Sequence, residues 1–382
     1  MADSSHSIYP TITDKISKNE NNTNSIGKIK VQRIHYYFLF YIDKTEENNN
    51  DIIFDRPPRR IDTHHHIVPD FYAEAVEEAG GDPNGWPTPK WSIEQAKEHM
   101  AQLGIETAIV SITVPSTKIY DNDKEKARVF ARKLNEYSSD LVKNDPKHFG
   151  FFASLPSLTD IEGTLNEIDY VDSKLNPDGY TLFTSYGINH DQYLGHPSFK
   201  PIWAKLNQLK TVVFIHPSQP PIPSVNKLIY PHLIDYPQET TRTVADLVIT
   251  GTRAEFPDVK IILSHDGGTL PFLAHRISIV GLMPMLNSPR SQLEILEDFR
   301  SFYFDTAISS SAPQLQALLQ FADPSKILFG TDIPYAPYSA VCNITKDLDQ
   351  FFLNNKSEEH KQLWKAINYD NAKALFPNKF KD

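Results

Sequence analysis

A chain of 382 residues, 40% hydrophobic and 23% charged, is long enough for one large α/β barrel with extensions or for two average domains. Its net charge of −10 excludes the basic face of a nucleic-acid-binding protein, and its single cysteine, Cys342, excludes a disulfide framework or a cysteine-rich zinc site. The most apolar early stretch, residues 34–42, is too short to cross a bilayer, and residues 1–16 lack the basic start and apolar block of a secretory signal, so a cytoplasmic protein without a membrane partner is expected.

Residues 1–59 are rich in Ser, Thr, Asn and Lys, and their polar clusters bury too little apolar surface to offset the entropy of ordering. They read as a low-complexity extension dispensable for chemistry, with one barrel domain over 60–382. From Arg60 onward, short β-branched or aromatic runs alternate with segments of helical period. The runs are 61–64, 107–114, 149–155, 179–183, 212–216, 260–264, 301–305 and 327–331. Helices are expected over 92–103, 123–142, 159–172, 198–209, 240–255 and 313–321, with terminal helices over 347–353 and 358–375 packing on the outside. Ser92 and Gln95 have the spacing of a capping box, and Pro257 and Pro324 close their helices. Eight strand–helix units predict a closed (β/α)8 TIM barrel; no glycine-rich phosphate turn follows the first strand, as a doubly wound sheet would have.

The first strand ends in Asp62-Thr63-His64-His65-His66. On a strand, alternate residues share a face, so His64 and His66 project together and His65 points away. Barrel enzymes carry their sites at strand C-termini. There the chain places His64 and His66, then His216, His265 with Asp266, Asp305 and Asp332. Any one of these histidines is, taken alone, more often structural; their recurrence at the same end of different strands points to a metal site. His64, His66, His216 and Asp332 are the expected ligands of one divalent metal, Zn²⁺ foremost, with Mn²⁺ or Fe²⁺ compatible. His265 precedes Gly267-Gly268, where a sharp turn can aim its ring as an acid/base, and a role as a fourth histidine ligand stays open. The fourth strand ends without a lysine to bridge a second metal.

From about Arg60 to Phe376 the chain resembles the amidohydrolase-related family of metal-dependent decarboxylases, which includes aminocarboxymuconate-semialdehyde decarboxylase and γ-resorcylate decarboxylase. The resemblance rests on DTHHHIVPDFYAEA, GGDPNGWPTPKW, VVFIHPSQP, FPDVKIILSH, GGTLPFLAHR and LFGTDIPYAP. It implies zinc on His64, His66, His216 and Asp332, a catalytic His265, and Arg276 as an arginine that meets the substrate carboxylate, in some relatives across a dimer interface. A homodimer is implied with it. Two departures stand out: Asp266 occupies a position where the family has a small residue, and the loop before Trp91 offers Lys90 but no arginine. The second counts against the muconate substrate and leaves a small aromatic hydroxy acid; among these the resemblance implies 6-methylsalicylate foremost, decarboxylated to 3-methylphenol and CO₂. Asp332, or His265 through a proton relay, is expected to supply the proton to the ring. Trp86, Trp91 and Phe272, with Phe183, Tyr186 and Tyr335, are candidates for an apolar slot around that ring. The alternatives are a metal-dependent hydrolase of a lactone, ester or amide on the same barrel, and a non-catalytic binding barrel.

Overall fold

The computed structural model describes residues 59–221, 229–355 and 357–380. Apart from Arg59, the expected polar extension lies outside them. Eight parallel strands run in chain order: β1 (Arg60–His66), β2 (Ile105–Ser111), β3 (Phe149–Ala153), β4 (Gly179–Phe183), β5 (Val212–His216), β6 (Lys260–Leu263), β7 (Tyr303–Asp305) and β8 (Ile327–Leu328). Beyond β8 the chain returns to β1, where His66 N–H donates to Ile333 O (2.7 Å), Asp332 N–H to His64 O (2.8 Å) and Thr63 N–H to Phe329 O (3.0 Å). Those bonds close the barrel that the alternating pattern predicts.

The strand β1 carries an irregularity that matters for the site. Its partners step from Asp62↔Ala108 to His65↔Val110, so one extra residue sits in β1 between these pairs. Such a bulge switches the faces of the strand. Ile61 therefore packs in the barrel's lower core with Ile109, Phe152, Phe214, Ile262 and Leu328, while His64 and His66 face the axis above it. Asp62 pins the bulge, accepting from His64 N–H (3.0 Å), Thr331 N–H (3.1 Å) and Thr331 Oγ1–H (2.6 Å), with His65 Nδ1 at 2.9 Å.

Helices cover the outside, including α1 (Asp70–Glu78), α2 (Ile93–Leu103), α3 (Lys124–Asn144), α4 (Ile161–Lys174) and α5 (Lys200–Leu209). Ser92 accepts from Gln95 N–H at the start of α2, the Ser half of the expected capping box. The next helix, α6, spans Pro231–Ile249 and so begins well before the expected 240; Pro231 fits its first turn, where no N–H is needed, and Pro237 is tolerated inside. It is followed by α7 (Thr252–Glu255), α8 (Leu270–Ser278), α9 (Gln292–Arg300), α10 (Ala312–Phe321) and α11 (Tyr338–Leu353). The helix expected over 358–375 is instead α12 (Glu358–Lys365), a π turn over Ala366–Asp370, and α13 (Asn371–Leu375).

That last piece corrects the expectation of an external position. Ala372, Leu375 and Phe376 join the lower barrel core, with Phe376 6.0 Å from Phe152 between ring centres. The π turn brings Asn368 Oδ1 to Arg60 Nε (2.8 Å), and both oxygens of Asp349 accept from Arg60 Nη2 (2.7 Å). A buried Arg60 thus ties the start of the barrel to its C-terminal cap. Among the described residues, no helix is long and apolar enough to cross a membrane.

Candidate metal centre

His64, His66, His216 and Asp332 meet at the upper mouth of the barrel, all buried, with one donor atom from each lying within 4.8 Å of the others. His64 Nε2 and His66 Nε2 are 3.1 Å apart, and Asp332 Oδ1 lies 3.4 Å from the first and 3.1 Å from the second. Two nitrogens at this spacing approximate the edge of a tetrahedron whose arms are metal–nitrogen bonds of about 2.0 Å. Three imidazoles and one carboxylate fit a divalent cation.

The opposite ring nitrogens are each held. His64 Nδ1 sits 3.0 Å from Asp305 Oδ2, His66 Nδ1 2.9 Å from Ser111 Oγ, and His216 Nδ1 2.8 Å from Pro217 O. Occupying Nδ1 leaves Nε2 to face the common centre, the arrangement that orients histidines toward metals. Phe214 floors the cluster, its ring centre 4.9 Å from that of His64.

Charge is divided unevenly among these groups. Burial alone would lower the His64 imidazole, but Asp305 and Asp332 raise it to about 10. Burial pushes His66 down, and burial together with His66 and His64 holds His216 well below its ordinary value. Burial would raise the Asp332 carboxyl, yet the His64 charge and the nearby ring nitrogens of His265, His64 and His66 keep it well below the usual carboxylate range.

His265 stands on the other side of the same carboxylate. Its Nε2 is 3.5 Å from Asp332 Oδ2, while Oδ1 faces His64 and His66. Its backbone is left-handed, with φ +56°, as are Asp266, Gly267 and Gly268 after it. Asp305 Oδ1 accepts the His265 N–H (3.1 Å), and a Cβ on Gly268 would run into Pro237 O, so this turn requires glycine there. Asp266 is buried, and burial followed by Asp305 pushes its carboxyl well up. Asp305, which also sits behind His64, is thus a charged neighbour of this carboxyl.

Aromatic side chains climb from the cluster toward solvent. Tyr335 packs edge-on to His66 (5.7 Å) and the buried Tyr236 lies 6.2 Å from His216. His232 follows at 6.4 Å from Tyr236, and Trp86 stands 4.3 Å from His232. Asn84 Nδ2 donates to Tyr236 Oη (2.9 Å). Trp86 and Tyr335 are expected at this mouth; Asp305 is legible only as a strand-end acid and Asn84 only as part of GGDPNGWPTPKW, while the sequence singles out neither Tyr236 nor His232. Trp91 is half-buried, with its indole nitrogen enclosed and without a partner among the described residues. Phe183 and Tyr186 are core, Tyr186 accepting the Phe183 N–H through its hydroxyl. Phe272 is 85% exposed, and Arg276 and Lys90 are exposed, so a single chain does not pack these three into the cluster.

Comparison with known proteins gives the family and the fold. A family model described as amidohydrolase matches residues 61–377. A Penicillium expansum protein named 6-methylsalicylic acid decarboxylase is 42% identical over 320 residues, 83% of this chain and 96% of that protein. Among solved structures, an amidohydrolase II superposes with a TM-score of 0.73 at 26% identity, over 83% of this chain and 99% of the other. A dihydroxybenzoic acid decarboxylase from Polaromonas, holding manganese and 2-nitroresorcinol, superposes with a TM-score of 0.69 at 23% identity, over 85% of this chain and all of that one.

Proposed function

The chain belongs to the amidohydrolase family, and from that premise we propose that it is a metal-dependent, non-oxidative decarboxylase of a small aromatic hydroxy acid, turning 6-methylsalicylate into 3-methylphenol and CO₂. The observation that carries the reading is the position of Asp332. One of its oxygens faces His64 and His66, and the other faces His265. The decarboxylase name of the 42%-identical relative supports the same reaction over hydrolysis of a lactone, ester or amide.

A divalent cation on His64, His66, His216 and Asp332 supplies Lewis-acid charge to the oxygens of the acid. Zinc is the ion proposed, with manganese and iron as its competitors. His265 and Asp332 Oδ2 share a proton beneath the substrate ring, and that proton goes to the ring carbon bearing the carboxylate. The carbon–carbon bond then breaks, its electron pair returns to the ring, CO₂ leaves, and a proton from water restores the pair. Trp86 and Trp91 are proposed to wall the slot and exclude water from the ring.

A homodimer belongs to the same proposal. Phe272, Leu282, Met285 and Leu293 are more than half exposed along α8, the turns after it and α9, a surface a second copy would cover. Arg276 lies on that helix, where it would serve a neighbouring site and meet the substrate carboxylate. A cytosolic location is also proposed, in keeping with the free thiol of Cys342.

The test is CO₂ and 3-methylphenol release from 6-methylsalicylate, set against ring opening of a lactone panel by the same sample. Lactone turnover without CO₂ release would overturn the assignment. For His265→Ala, loss of turnover with the metal still bound is expected; full turnover would remove its catalytic role.

A further inference from the structure

We propose that Asn84 selects the substrate, its side-chain oxygen accepting a hydrogen bond from a ring hydroxyl that lies away from the His64–His66–His216–Asp332 cluster. This rests on the aromatic hydroxy acid reading and adds a specificity determinant to it.

Asn84 is 8% exposed, and both of its nitrogens have partners. Its backbone N–H donates to Asp82 Oδ1 (2.7 Å), and its Nδ2 donates to the same Asp82 oxygen (3.1 Å) and to Tyr236 Oη (2.9 Å). A carboxylate only accepts, so Asp82 fixes which end of the amide carries the nitrogen. The remaining side-chain atom, Oδ1, is buried and has no partner among the described residues. An acceptor taken from water with nothing in exchange is costly, and its usual explanation is a ligand or an ordered water. Position favours the ligand. Asn84 holds Tyr236, whose ring packs against His216, and Trp86, two residues along the same loop, meets His232 over that tyrosine.

The chemistry of the partner follows from the atom left over. Both Nδ2 bonds are taken, so the amide offers only an acceptor, which a carboxylate or a methyl group cannot satisfy. A ring hydroxyl can. An acid carrying a hydroxyl beyond the one next to its carboxylate is therefore bound more tightly than the same acid without it.

The experiment compares salicylate with its 3-, 4-, 5- and 6-hydroxy derivatives, and 6-methylsalicylate with 2,4-dihydroxy-6-methylbenzoate. Affinity to the zinc-loaded full chain is read by calorimetry, and CO₂ release separately. At least one added hydroxyl is expected to tighten binding about tenfold, the worth of a satisfied buried acceptor. Asn84→Leu, close in size but with no acceptor, should bring that ratio to near one, and Asn84→Ser, which withdraws the polar atom from the ring, should do the same. A ratio indifferent to every added hydroxyl in the wild-type protein, a ratio kept by both variants, or binding of none of the acids would overturn the proposal. Hydroxyl preference in binding without CO₂ release would uphold Asn84 and sink the decarboxylase assignment; turnover with no preference would do the reverse.

Discussion

Asp305 Oδ2 lies 3.0 Å from His64 Nδ1, and the other oxygen of the same carboxylate accepts the backbone N–H groups of His265 (3.1 Å) and Ala307 (3.0 Å). One buried acid therefore sets the ring of a candidate ligand and the backbone of the candidate acid/base together. A shift of either would be felt by the other.

Replacing Asp305 by Asn keeps the shape of that contact and removes its charge. Partners behind metal-bound histidines are typically worth 10–100-fold in metal affinity, so a loss of about that size is expected for D305N. Competition with a chromogenic chelator measures it. An affinity equal to wild type would detach Asp305 from the site.

Gly330 is a packing constraint on the same centre. A Cβ there would lie 2.8 Å from His64 Cβ and 3.2 Å from Asp305 Cβ. G330A is expected to lose about 1–3 kcal/mol, the usual cost of overpacking, and to bind less metal per chain. Urea unfolding with metal analysis of the same sample checks both; unchanged stability and metal content would show that the neighbours give way freely.

The Arg60–Asp349 pair fastens the C-terminal cap. Asp349 also accepts from Trp364 Nε1 (2.7 Å), so D349A removes the carboxylate that neutralises a buried guanidinium and one acceptor of an indole, leaving Arg60 only the neutral oxygens of Asn368 and Leu103 among the described residues. A destabilisation of about 3–5 kcal/mol is expected from breaking such a pair. Replacing both partners with apolar residues should recover much of it in denaturant unfolding, and a D349A midpoint at the wild-type value would contradict the anchoring role.

Lys118 and His190 give a pH signature away from the metal. Lys118 Nζ donates to Ser185 O (3.1 Å) and lies 3.3 Å from His190 Nδ1. Burial lowers Lys118 from 10.5 to about 8, and burial followed by the Lys118 charge lowers His190 from 6.5 to about 4. Both are bases with folded values below their unfolded ones, so the unfolded chain binds more protons inside each window and stability rises with pH there. His190 should make the protein less stable as pH falls from 6.5 to about 4, and Lys118 should make it more stable as pH rises from about 8 to 10.5. H190N is expected to flatten the acid limb and K118M the alkaline limb. Variants that keep both slopes would refute the pairing.

Much of this molecule is legible in its sequence because barrel strands are short, apolar and end in polar groups. His64, His66, His216 and Asp332 could be picked out by position alone, since parallel strands bring their C-termini to one face. Other features leave no such trace. The bulge in β1 preserves the spacing of His64 and His66 while turning Ile61 to their side, which strict alternation does not reveal. The paired segments Ser185–Tyr186 and Gln192–Tyr193 are too short to show a period. Asn84 and Tyr236 meet across 152 positions, a contact no local spacing encodes. The early start of α6 was hidden because Pro237 falls inside a helix that its packing sustains.

The central claim is that His64, His66, His216 and Asp332 hold one divalent ion on which decarboxylation depends. The most direct measurement is metal content per chain and CO₂ release from 6-methylsalicylate, followed in one preparation before chelation, after it, and after zinc is restored. About one ion per chain is expected, with release lost on chelation and regained on reconstitution, and both lost together in H66A/H216A. Release that continues at the original rate from protein stripped of metal would contradict it.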